Sequence, residues 1–500
     1  MTIVRRVTGD ASPPPADRAR PLPPALAAAL VAGASGAVLV LEILGVRLLA
    51  PYVGLTLETT TSIIGVVLGG IAAGSAVGGR LADRTDPRGL VALLLTAGGV
   101  LALLTVPIVR GLGPSSSGGG GALALTTVAL LPAATVLSAI TPAVARLQLA
   151  DLASTGTVYG RLSGWATAGA LAGTFVTGFV VVPLVPVSTA VVLVGGALVA
   201  CGLLAAVRAC TSSRRAAAGP AAGATVLALL ALASGSPCDV ESTYHCARVE
   251  IDPQRASGRI LLLDDLQHSY VDLDDPQRLA FAYTRWIGDA LDAAAPAGRP
   301  LDAVFVGGGG FTLPRYLLAT RPGSRARVLE VDGKVVELAR ERLGLRRSAA
   351  LRVDVGDARV TLRGRPADSA DVLVGDAFGQ VAVPWHLTTR EWHDDVRRVL
   401  RPGGIYALNV IDRGDLGLLR AVTATVLDRF ADVRLVRAAP GTAGSANAVL
   451  LASDRPLPAT ARSSAQGART LDRPAVVRFA AGADVLTDDD APVDQLHDAR

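Results

Sequence analysis

The chain has 500 residues, of which 50% are hydrophobic and 18% charged, and its mean hydropathy is +0.44. Because soluble globular proteins carry roughly 25% charged residues, this composition argues against a wholly soluble enzyme and excludes a disordered chain. Four cysteines are too few for a small disulfide-rich scaffold. The formal net charge of +5 is small for this length, so we expect no nucleic-acid partner.

Charged residues are unevenly distributed and divide the chain near residue 236. Residues 22–209 contain 13 charged side chains, whereas residues 237–500 contain 70. Residues 1–236 carry a net charge of +7, and the remainder carries −2. The sequence therefore predicts a multi-pass helical membrane domain followed by a domain of ordinary charge content.

Residues 22–236 are predicted to form the membrane domain, behind a proline-rich leader at 1–21 that we expect to be disordered. A membrane-spanning helix needs about 20 apolar residues. Small residues at four-residue spacing within 65–79 and 164–178 predict closely packed helices. Six stretches are long enough to span a bilayer and a seventh is shorter: about 24–50, 60–80, 89–110, 121–145, 162–186 and 188–208, with 219–236 as the seventh.

The positions of the arginines predict the orientation of these spans. Arginines lie in the leader and after the second, fourth and sixth spans, whereas the intervening loops are nearly free of them. By the positive-inside rule, this alternation predicts a multi-pass protein of the cell membrane with a cytoplasmic N-terminus.

Residues 219–236 decide on which side of the membrane the C-terminal part lies. If this segment crosses the bilayer, the C-terminal part is outside the cytoplasm; otherwise it is cytoplasmic. Cys238 and Cys246 favour the first alternative slightly, because such a pair would form a disulfide outside the cytoplasm. Only His245 lies close enough in sequence to join them as a metal ligand, so we expect no bound metal.

The C-terminal part shows an α/β pattern. Short alternating strands predict a small β-hairpin unit at 237–276. From 277 to 455, a first helix is followed by alternating strands and helices, which predicts a Rossmann-like domain with a parallel, doubly wound sheet. The tail at 456–500 is rich in Ala, Arg and Asp, and we expect it to be partly disordered.

Glycines and acids stand at the predicted carboxyl ends of the strands, where ligands of such sheets bind. Gly307, Gly308 and Gly309 follow the first strand, and glycines allow a ligand to approach the backbone closely. Glu330 ends the second strand, where an acid accepts hydrogen bonds from ribose hydroxyls. Asp357 and Asp376 follow the third and fourth strands. The glycines lack the GxGxxG spacing, which favours a ligand of the S-adenosylmethionine type over NAD.

These residues resemble a known family. The segments LLLDDLQHSYVDL, VGGGGFTLPRYL, VLEVD, VGDAR and DAFGQVAVPWHLTT, together with the first-span pattern SGAVLVLEILGVRLLAPYVG, are similar to the spermidine synthase (polyamine aminopropyltransferase) family and its membrane-fused relatives. The resemblance covers about 240–455. It implies transfer of an aminopropyl group from decarboxylated S-adenosylmethionine, as a co-substrate rather than a permanently bound cofactor, with methylthioadenosine as by-product.

The resemblance also implies roles for individual residues. Gly307, Gly308 and Gly309 would line the nucleoside, Glu330 would bind the ribose, and Asp357 the adenine. Asp376 matches the family acid that helps deprotonate the attacking amine. Tyr283 would contact the substrate, and His268 stands where the family often has a Gln near the donor.

The chain also departs from the family pattern. Gly310 stands where the family has the Asp that holds the donor's amino group, and Gly379 replaces a second acid that helps hold the amine. The family's His-Glu after the tyrosine is Thr284-Arg285 here. Since a dicationic amine needs carboxylates to replace its hydration, the sequence predicts a retained nucleoside site and a changed amine site.

The main prediction is a membrane-bound, spermidine synthase-like transferase that acts on a small-molecule amine. Two alternatives are methyl transfer from S-adenosylmethionine on the same fold, and a sensor or transporter that binds a nucleoside or polyamine without turnover. The loop GGRLADRTDPRG at 78–89 resembles a loop of major facilitator transporters and is compatible with the transporter alternative. The sequence leaves open whether the protein is a homodimer.

Overall fold

The computed structural model describes residues 22–53, 57–116, 118–149, 155–209, 223, 229–231, 235–264, 266–379, 382–439, 446–458 and 467–497. The chain divides into two compact units, one within Met1–Leu48 and Thr60–Ser234 and the other within Leu49–Thr59 and Gly235–Arg500. The predicted leader and most of the predicted seventh span lie outside the described residues, so both stay predictions.

The first unit consists of helices. They are α1 (Pro24–Val53), α2 (Leu57–Arg84), α3 (Pro87–Leu112), α4 (Gly118–Ser138), α5 (Ile140–Gln148), α6 (Thr155–Val176), α7 (Val182–Leu184) and α8 (Val187–Ala209). A short π-helical turn, Thr177–Val181, joins α6 to α7. Among the described residues, six helical segments are long and apolar enough to cross a membrane, which confirms the six predicted apolar helices.

Small residues bring helices of this unit into backbone contact. A Cβ on Gly78 of α2 would lie 2.6 Å from Ala139 Cα, and a Cβ on Gly36 of α1 would lie 2.9 Å from the carbonyl oxygen of Gly169 in α6. Residues without a side chain at such positions let helix backbones approach closely in lipid. The predicted close packing is therefore confirmed at these crossings.

The loop between α2 and α3 is held by its aspartates. Asp86 caps α3, since its side chain accepts hydrogen bonds from the backbone N–H groups of Arg88 and Gly89 at 3.3 and 3.0 Å. Asp83 forms an exposed ion pair at 3.5 Å with Arg146 of α5. Two arginine-bearing regions that the sequence places on one side of the membrane are thus adjacent in the fold.

Within the segment predicted to form a small β-hairpin unit, the second unit contains a four-stranded antiparallel sheet. Its strands are β1 (Val240–Glu241), β2 (Cys246–Ile251), β3 (Gly258–Leu263) and β4 (Leu266–Asp272), in that spatial order. A disulfide joins Cys238 to Cys246 at the start of β2. This is the pairing that the sequence predicts for a location outside the cytoplasm.

A larger, eight-stranded sheet follows, in the spatial order β12-β10-β11-β9-β8-β5-β6-β7. Its strands are β5 (Asp302–Val306), β6 (Arg325–Glu330), β7 (Leu351–Val355), β8 (Ala370–Gly375), β9 (Leu400–Ile411), β10 (Asp432–Ala438), β11 (Asn447–Ser453) and β12 (Ala468–Leu471). The accompanying helices are α9 (Ala282–Ala293), α10 (Thr312–Thr320), α11 (Gly333–Arg342), α12 (Ala358–Arg363), α13 (Arg390–Val399), α14 (Gly417–Arg429), α15 (Arg473–Ala480) and α16 (Val493–His497). The fold is a Rossmann-like α/β domain of the methyltransferase type, as predicted.

The expectation of a fully parallel sheet is correct for β5 to β9 and wrong for β10, β11 and β12. These three strands pair antiparallel with their neighbours. Parallel neighbours need a crossover of a dozen or more residues, and the segment 439–446 between β10 and β11 is too short for one.

Alternating side chains of the central strand supply both layers of the core. Ala303 and Phe305 of β5 pack in one buried cluster, whereas Val304 and Val306 pack in another that contains Trp392 of α13. This alternation follows from the two-residue repeat of a strand. The carboxyl ends of β5, β6 and β8 are thereby held in fixed positions at one edge of the sheet.

The C-terminal tail, which we expected to be partly disordered, contributes β12, α15 and α16 to this unit. Val476, Leu486 and Val493 are buried in the same cluster as Trp392. Asp488 accepts hydrogen bonds from the guanidinium of Arg359 at 2.7 and 2.6 Å. Residues 459–466 and 498–500 of the tail lie outside the described residues.

Candidate active site

A cavity of about 920 Å³ lies at the carboxyl ends of β5, β6, β8 and β9. Ligands of open α/β sheets bind at this edge. All eight candidate site residues named from the sequence line this one cavity: His268, Tyr283, Gly307, Gly308, Gly309, Glu330, Asp357 and Asp376. The fold therefore brings together residues that are up to 108 positions apart in the chain.

The turn after β5 requires glycine for two reasons. Gly307 has φ of +91°, a backbone conformation that L side chains rarely adopt. A Cβ at Gly307 would also overlap the carbonyl oxygen of Asp376. The glycine turn and the loop after β8 are consequently packed directly against each other, and no side chain separates them.

Glu330, the last residue of β6, holds the glycine turn. One carboxylate oxygen accepts hydrogen bonds from the N–H groups of Gly308 and Gly309 at 2.6 and 3.3 Å, and the other accepts from Asp332 N–H at 2.9 Å. Burial raises the pKa of Glu330, and the backbone donors oppose that rise. A carboxylate offers about four acceptor positions, so Glu330 can still accept a hydrogen bond from a ligand hydroxyl.

Asp357 follows β7 and begins α12. Its Oδ1 accepts hydrogen bonds from the N–H groups of Arg359 and Val360 at 2.8 and 3.1 Å. Its Oδ2 lies 3.1 Å from Nε2 of His386, which also lines the cavity. The carboxylate is therefore oriented by the helix cap on one side and by the imidazole on the other.

Asp376 is a buried carboxyl group immediately after β8. Its Oδ1 accepts a hydrogen bond from Asn409 Nδ2 at 2.8 Å, and its side chain is also hydrogen-bonded to Tyr283. Burial raises the pKa of Asp376 to about 7, against the lowering effect of these two hydrogen bonds. Burial and the neighbouring carboxylate raise the pKa of Tyr283 well above its usual value, so the phenol stays protonated.

A further amide fixes the orientation of Asn409. Asn447 Nδ2 donates to Asn409 Oδ1 at 3.1 Å, which leaves the Asn409 NH₂ group directed at Asp376. Both asparagines line the cavity. Sequence reasoning missed them, although Asn409 lies near the end of a predicted strand, where a search of strand ends would have found it.

His268 lies on β4 beside a second histidine. Its ring centroid is 6.2 Å from that of His245, whose Nδ1 lies 3.0 Å from Asp264 Oδ2. Burial, and next the proximity of His245, lower the pKa of His268 to about 4. At neutral pH His268 is therefore uncharged. His245 also lines the cavity, and sequence reasoning considered it only as a metal ligand.

The two glycines that replace family acids differ in their surroundings. A Cβ at Gly310 would lie 2.8 Å from Ser269 Cβ and Val271 Cγ2, so the position has no room for a side chain. A Cβ at Gly379 would have its nearest neighbour, Pro384 Cγ, at 3.7 Å, which is ordinary contact distance. Gly379 lines the cavity, and Gly310 packs against β4.

Other candidates lie outside the cavity. The guanidinium of Arg285 donates hydrogen bonds to the carbonyl oxygens of Leu279 and Ala280 at 3.1 and 2.5 Å, and it does not line the cavity. His393 is buried in α13, where Nδ1 lies 2.8 Å from Thr389 O. Burial lowers the pKa of His393 to about 4. Among the described residues, no three His, Cys, Asp or Glu side chains are grouped as metal ligands.

Comparison with known proteins places part of the chain among aminopropyltransferase-like sequences. Over 146 residues the chain is 30% identical to the polyamine aminopropyltransferase of Vibrio vulnificus, a match that spans 28% of this chain and 48% of that protein. It is 28% identical over 170 residues to the eEF1A lysine and N-terminal methyltransferase of Danio rerio, across 32% of this chain and 24% of that protein. The chain thus spans about half the length, or less, of these curated relatives.

A probable spermidine synthase from Corynebacterium glutamicum, solved as a crystal structure, is 28% identical. Its match covers 49% of this chain and 94% of that chain, with a TM-score of 0.46. No protein-family model matches the sequence. The resemblance to polyamine aminopropyltransferases that the motifs indicate is confirmed over part of the chain.

Proposed function

We propose that the C-terminal domain transfers an aminopropyl group from decarboxylated S-adenosylmethionine to a primary amine. One observation carries the proposal: Asp376 is buried in the cavity wall against the glycine turn, and its pKa is raised to about 7. A carboxyl with this pKa is about half in its basic form at neutral pH, which suits a general base.

In the proposed reaction, the lone pair of the amine attacks the methylene carbon of the aminopropyl group that is bonded to the sulfonium. The new C–N bond forms as the C–S bond breaks, and the electron pair of that bond stays on sulfur, which yields methylthioadenosine. The proton lost from the amine nitrogen passes to Asp376. Tyr283 and Asn409 hold the Asp376 carboxylate in position, and orientation of the two reactants supplies most of the acceleration.

The nucleoside end of the cavity supports an adenosine donor. In the proposal, Glu330 accepts hydrogen bonds from the ribose hydroxyls and Asp357 from the adenine amino group. Gly307, Gly308 and Gly309 form a surface on which the nucleoside can lie. His268, uncharged at neutral pH, lies across the cavity on β4 and would contact the donor. The donor is a co-substrate, and no permanently held cofactor is part of the proposal.

Methyl transfer is the second candidate, and one observation favours it. The zebrafish relative reported above is a methyltransferase. The two reactions release different products, methylthioadenosine and S-adenosylhomocysteine.

We also infer that the protein lies in the cell membrane with its N-terminus in the cytoplasm, because arginines flank alternate spans. The partners are then the bilayer and a small amine, without nucleic acid.

Labelling an Ala481→Cys variant on intact cells with an impermeant maleimide decides the side of the C-terminal domain. The disulfide favours the outside, whereas a cytoplasmic nucleoside donor favours the inside. The mass of the purified protein in detergent tests whether the protein is a homodimer.

The decisive experiment uses the full-length protein in lipid nanodiscs. The protein is incubated with decarboxylated S-adenosylmethionine or S-adenosylmethionine and a panel of primary amines, and both nucleoside products are measured by mass spectrometry. The proposal expects methylthioadenosine from the decarboxylated donor. Release of S-adenosylhomocysteine instead would replace it with methyl transfer. Failure of the folded protein to bind either donor or methylthioadenosine would remove both transferase functions and leave the sensor or transporter alternative.

A further inference from the structure

The cavity that contains Asp376 is also lined by a permanently charged cation. Arg413 follows β9 by two residues and lines the cavity together with Asn409 and Ile411 of that strand. Alternate residues of an extended chain lie on one face. Asn409, which donates a hydrogen bond to Asp376, lies four residues before Arg413, and four residues span at most about 14 Å.

The Arg413 side chain is available to a ligand. Within the described part of the chain, the hydrogen bonds of Arg413 are made by its backbone, whose N–H donates to Asp412 Oδ1 at 2.8 Å, and not by its guanidinium. The residue is exposed rather than buried. A guanidinium carries five donors in a planar fork that matches a carboxylate in a bidentate pair.

The carboxylates that line the cavity are already engaged. Glu330 accepts three backbone hydrogen bonds, and Asp357 caps α12 and contacts His386. Asp376 is bonded to Asn409 and Tyr283. Gly379, a cavity position that has room for a side chain, contributes none. No unengaged carboxylate of the described cavity residues is therefore left to receive the second ammonium of a diamine.

The charges at this end favour a different kind of acceptor. A diammonium ligand would bring two cations to a cavity whose described carboxyl groups already accept hydrogen bonds and which also contains a guanidinium. Transfer of an unpaired charge out of water is costly, and two like charges at short range repel each other. A ligand with an amine at one end and an anion at the other would instead find a partner for each charge.

We infer that the acceptor is a small primary amine whose far end carries a carboxylate, and that Arg413 binds this carboxylate. The inference rests on the proposed function for the reaction that the amine undergoes. Arg413 would then be the residue that determines acceptor class, while Asp376 receives the amine. An arginine pairs with a carboxylate through two parallel hydrogen bonds. Replacement of Arg413 by an uncharged residue would therefore remove both the positive charge and this bidentate pairing.

Three ligands with the same four-carbon length test the inference. 4-Aminobutyrate, n-butylamine and putrescine share a primary amine and carry at the far end a carboxylate, a methyl group and an ammonium group. Each is titrated calorimetrically into the full-length protein in nanodiscs, with and without methylthioadenosine. We expect 4-aminobutyrate to bind at least tenfold more tightly than putrescine, with butylamine between them. The corresponding ligands with three, five and six carbons are titrated as well. The comparison is made at the chain length that binds most tightly.

Two Arg413 variants and a control identify the residue responsible. Arg413→Gln should abolish the preference for the carboxylate, and Arg413→Glu should reverse it in favour of putrescine. Arg352→Gln removes an exposed arginine of β7 that does not line the cavity, and it should bind all three ligands as the wild type does. Unfolding temperatures check that each variant is folded.

The inference is overturned if putrescine binds as tightly as the amino acid, or if Arg413→Gln leaves the preference unchanged. Methylthioadenosine binding is measured separately and tests the proposed function. If methylthioadenosine does not bind but 4-aminobutyrate is preferred to putrescine, the proposed transferase function fails and the anion site at Arg413 stands. If methylthioadenosine binds but putrescine is preferred, this inference fails and the proposed transferase function stands.

Discussion

The two ends of the cavity differ in what builds them. At the nucleoside end, backbone groups of the glycine turn are held by Glu330, and Asp357 is oriented by a helix cap. At the acceptor end, side chains form the surface: Asp376, Tyr283, Asn409 and Arg413. Backbone geometry follows from the fold, so a donor site can persist while the acceptor site changes through a few side chains. Under the proposed function, this difference would explain how the nucleoside end is retained although Gly310 and Gly379 stand where the similar family has acids.

Replacement of the proposed base should have the largest effect. Asp376→Asn keeps the shape and removes the proton acceptor, so we expect kcat to fall by roughly 10²–10⁴-fold, the usual contribution of general acid–base catalysis. Product formation under saturating donor measures this. Asp371→Asn, on the same strand but paired with Arg401 away from the cavity, is the matched control and should stay within a few-fold of wild type. Equal rates in Asp376→Asn and the control would exclude Asp376 as the base.

At the nucleoside end we expect a smaller and different effect. Glu330→Gln replaces one acceptor oxygen by an NH₂ group beside the N–H groups of Gly308 and Gly309, so donor affinity should fall by about 10–100-fold, which corresponds to one or two lost hydrogen bonds to a charged group. Titration of methylthioadenosine measures the change. Glu337→Gln, an exposed residue of α11 paired with Lys334, should leave it unaltered. Unchanged nucleoside affinity in Glu330→Gln would contradict the ribose role.

The two substituted glycines offer a direct contrast in stability. Gly310→Asp forces a side chain against Ser269 and Val271, and we expect it to lower the free energy of unfolding by about 1–3 kcal/mol, as overpacking does. Gly379→Asp meets ordinary contacts, so its unfolding temperature should stay near that of wild type. The added carboxylate should also tighten putrescine binding. If both variants are equally stable, steric exclusion does not explain the missing acid at 310.

The pH dependence should give the smallest but most specific change. As a base, Asp376 must be ionised, so kcat/KM should rise with pH through about 7. The hydrogen bond from Asn409 lowers the pKa of Asp376, so in Asn409→Ala the rise of kcat/KM should occur at higher pH. If the rise stays at the same pH, a group other than Asp376 controls it. Because folding raises this pKa from 3.8 to about 7, the protonated carboxyl group contributes stability that is fully present below pH 3.8 and is lost as the pH rises to about 7. Asp376→Asn should remove this pH dependence of stability.

Much of the fold is predictable because its signals are local. Apolar runs of about 20 residues predicted the six apolar helices, and alternating strands and helices predicted the succession and parallel pairing of β5 to β9. The antiparallel edge and the ordered tail were not predicted. Pairing of β10 with β11 and β12, and burial of Leu486 against α14, depend on contacts between segments far apart in the chain.

The sequence by itself determined which residues stand at strand ends, and so it placed Gly307, Glu330, Asp357 and Asp376 at one edge of the sheet, because parallel strands end at a common edge. Only the tertiary structure decided what surrounds them. It turns Arg285 toward backbone carbonyls and Arg413 toward the cavity, and it leaves no space beside Gly310. It also buries Asp376 with Tyr283 and Asn409, which raises the pKa of its carboxyl group. Desolvation and side-chain direction arise from packing between distant segments, and no local pattern in a sequence encodes them.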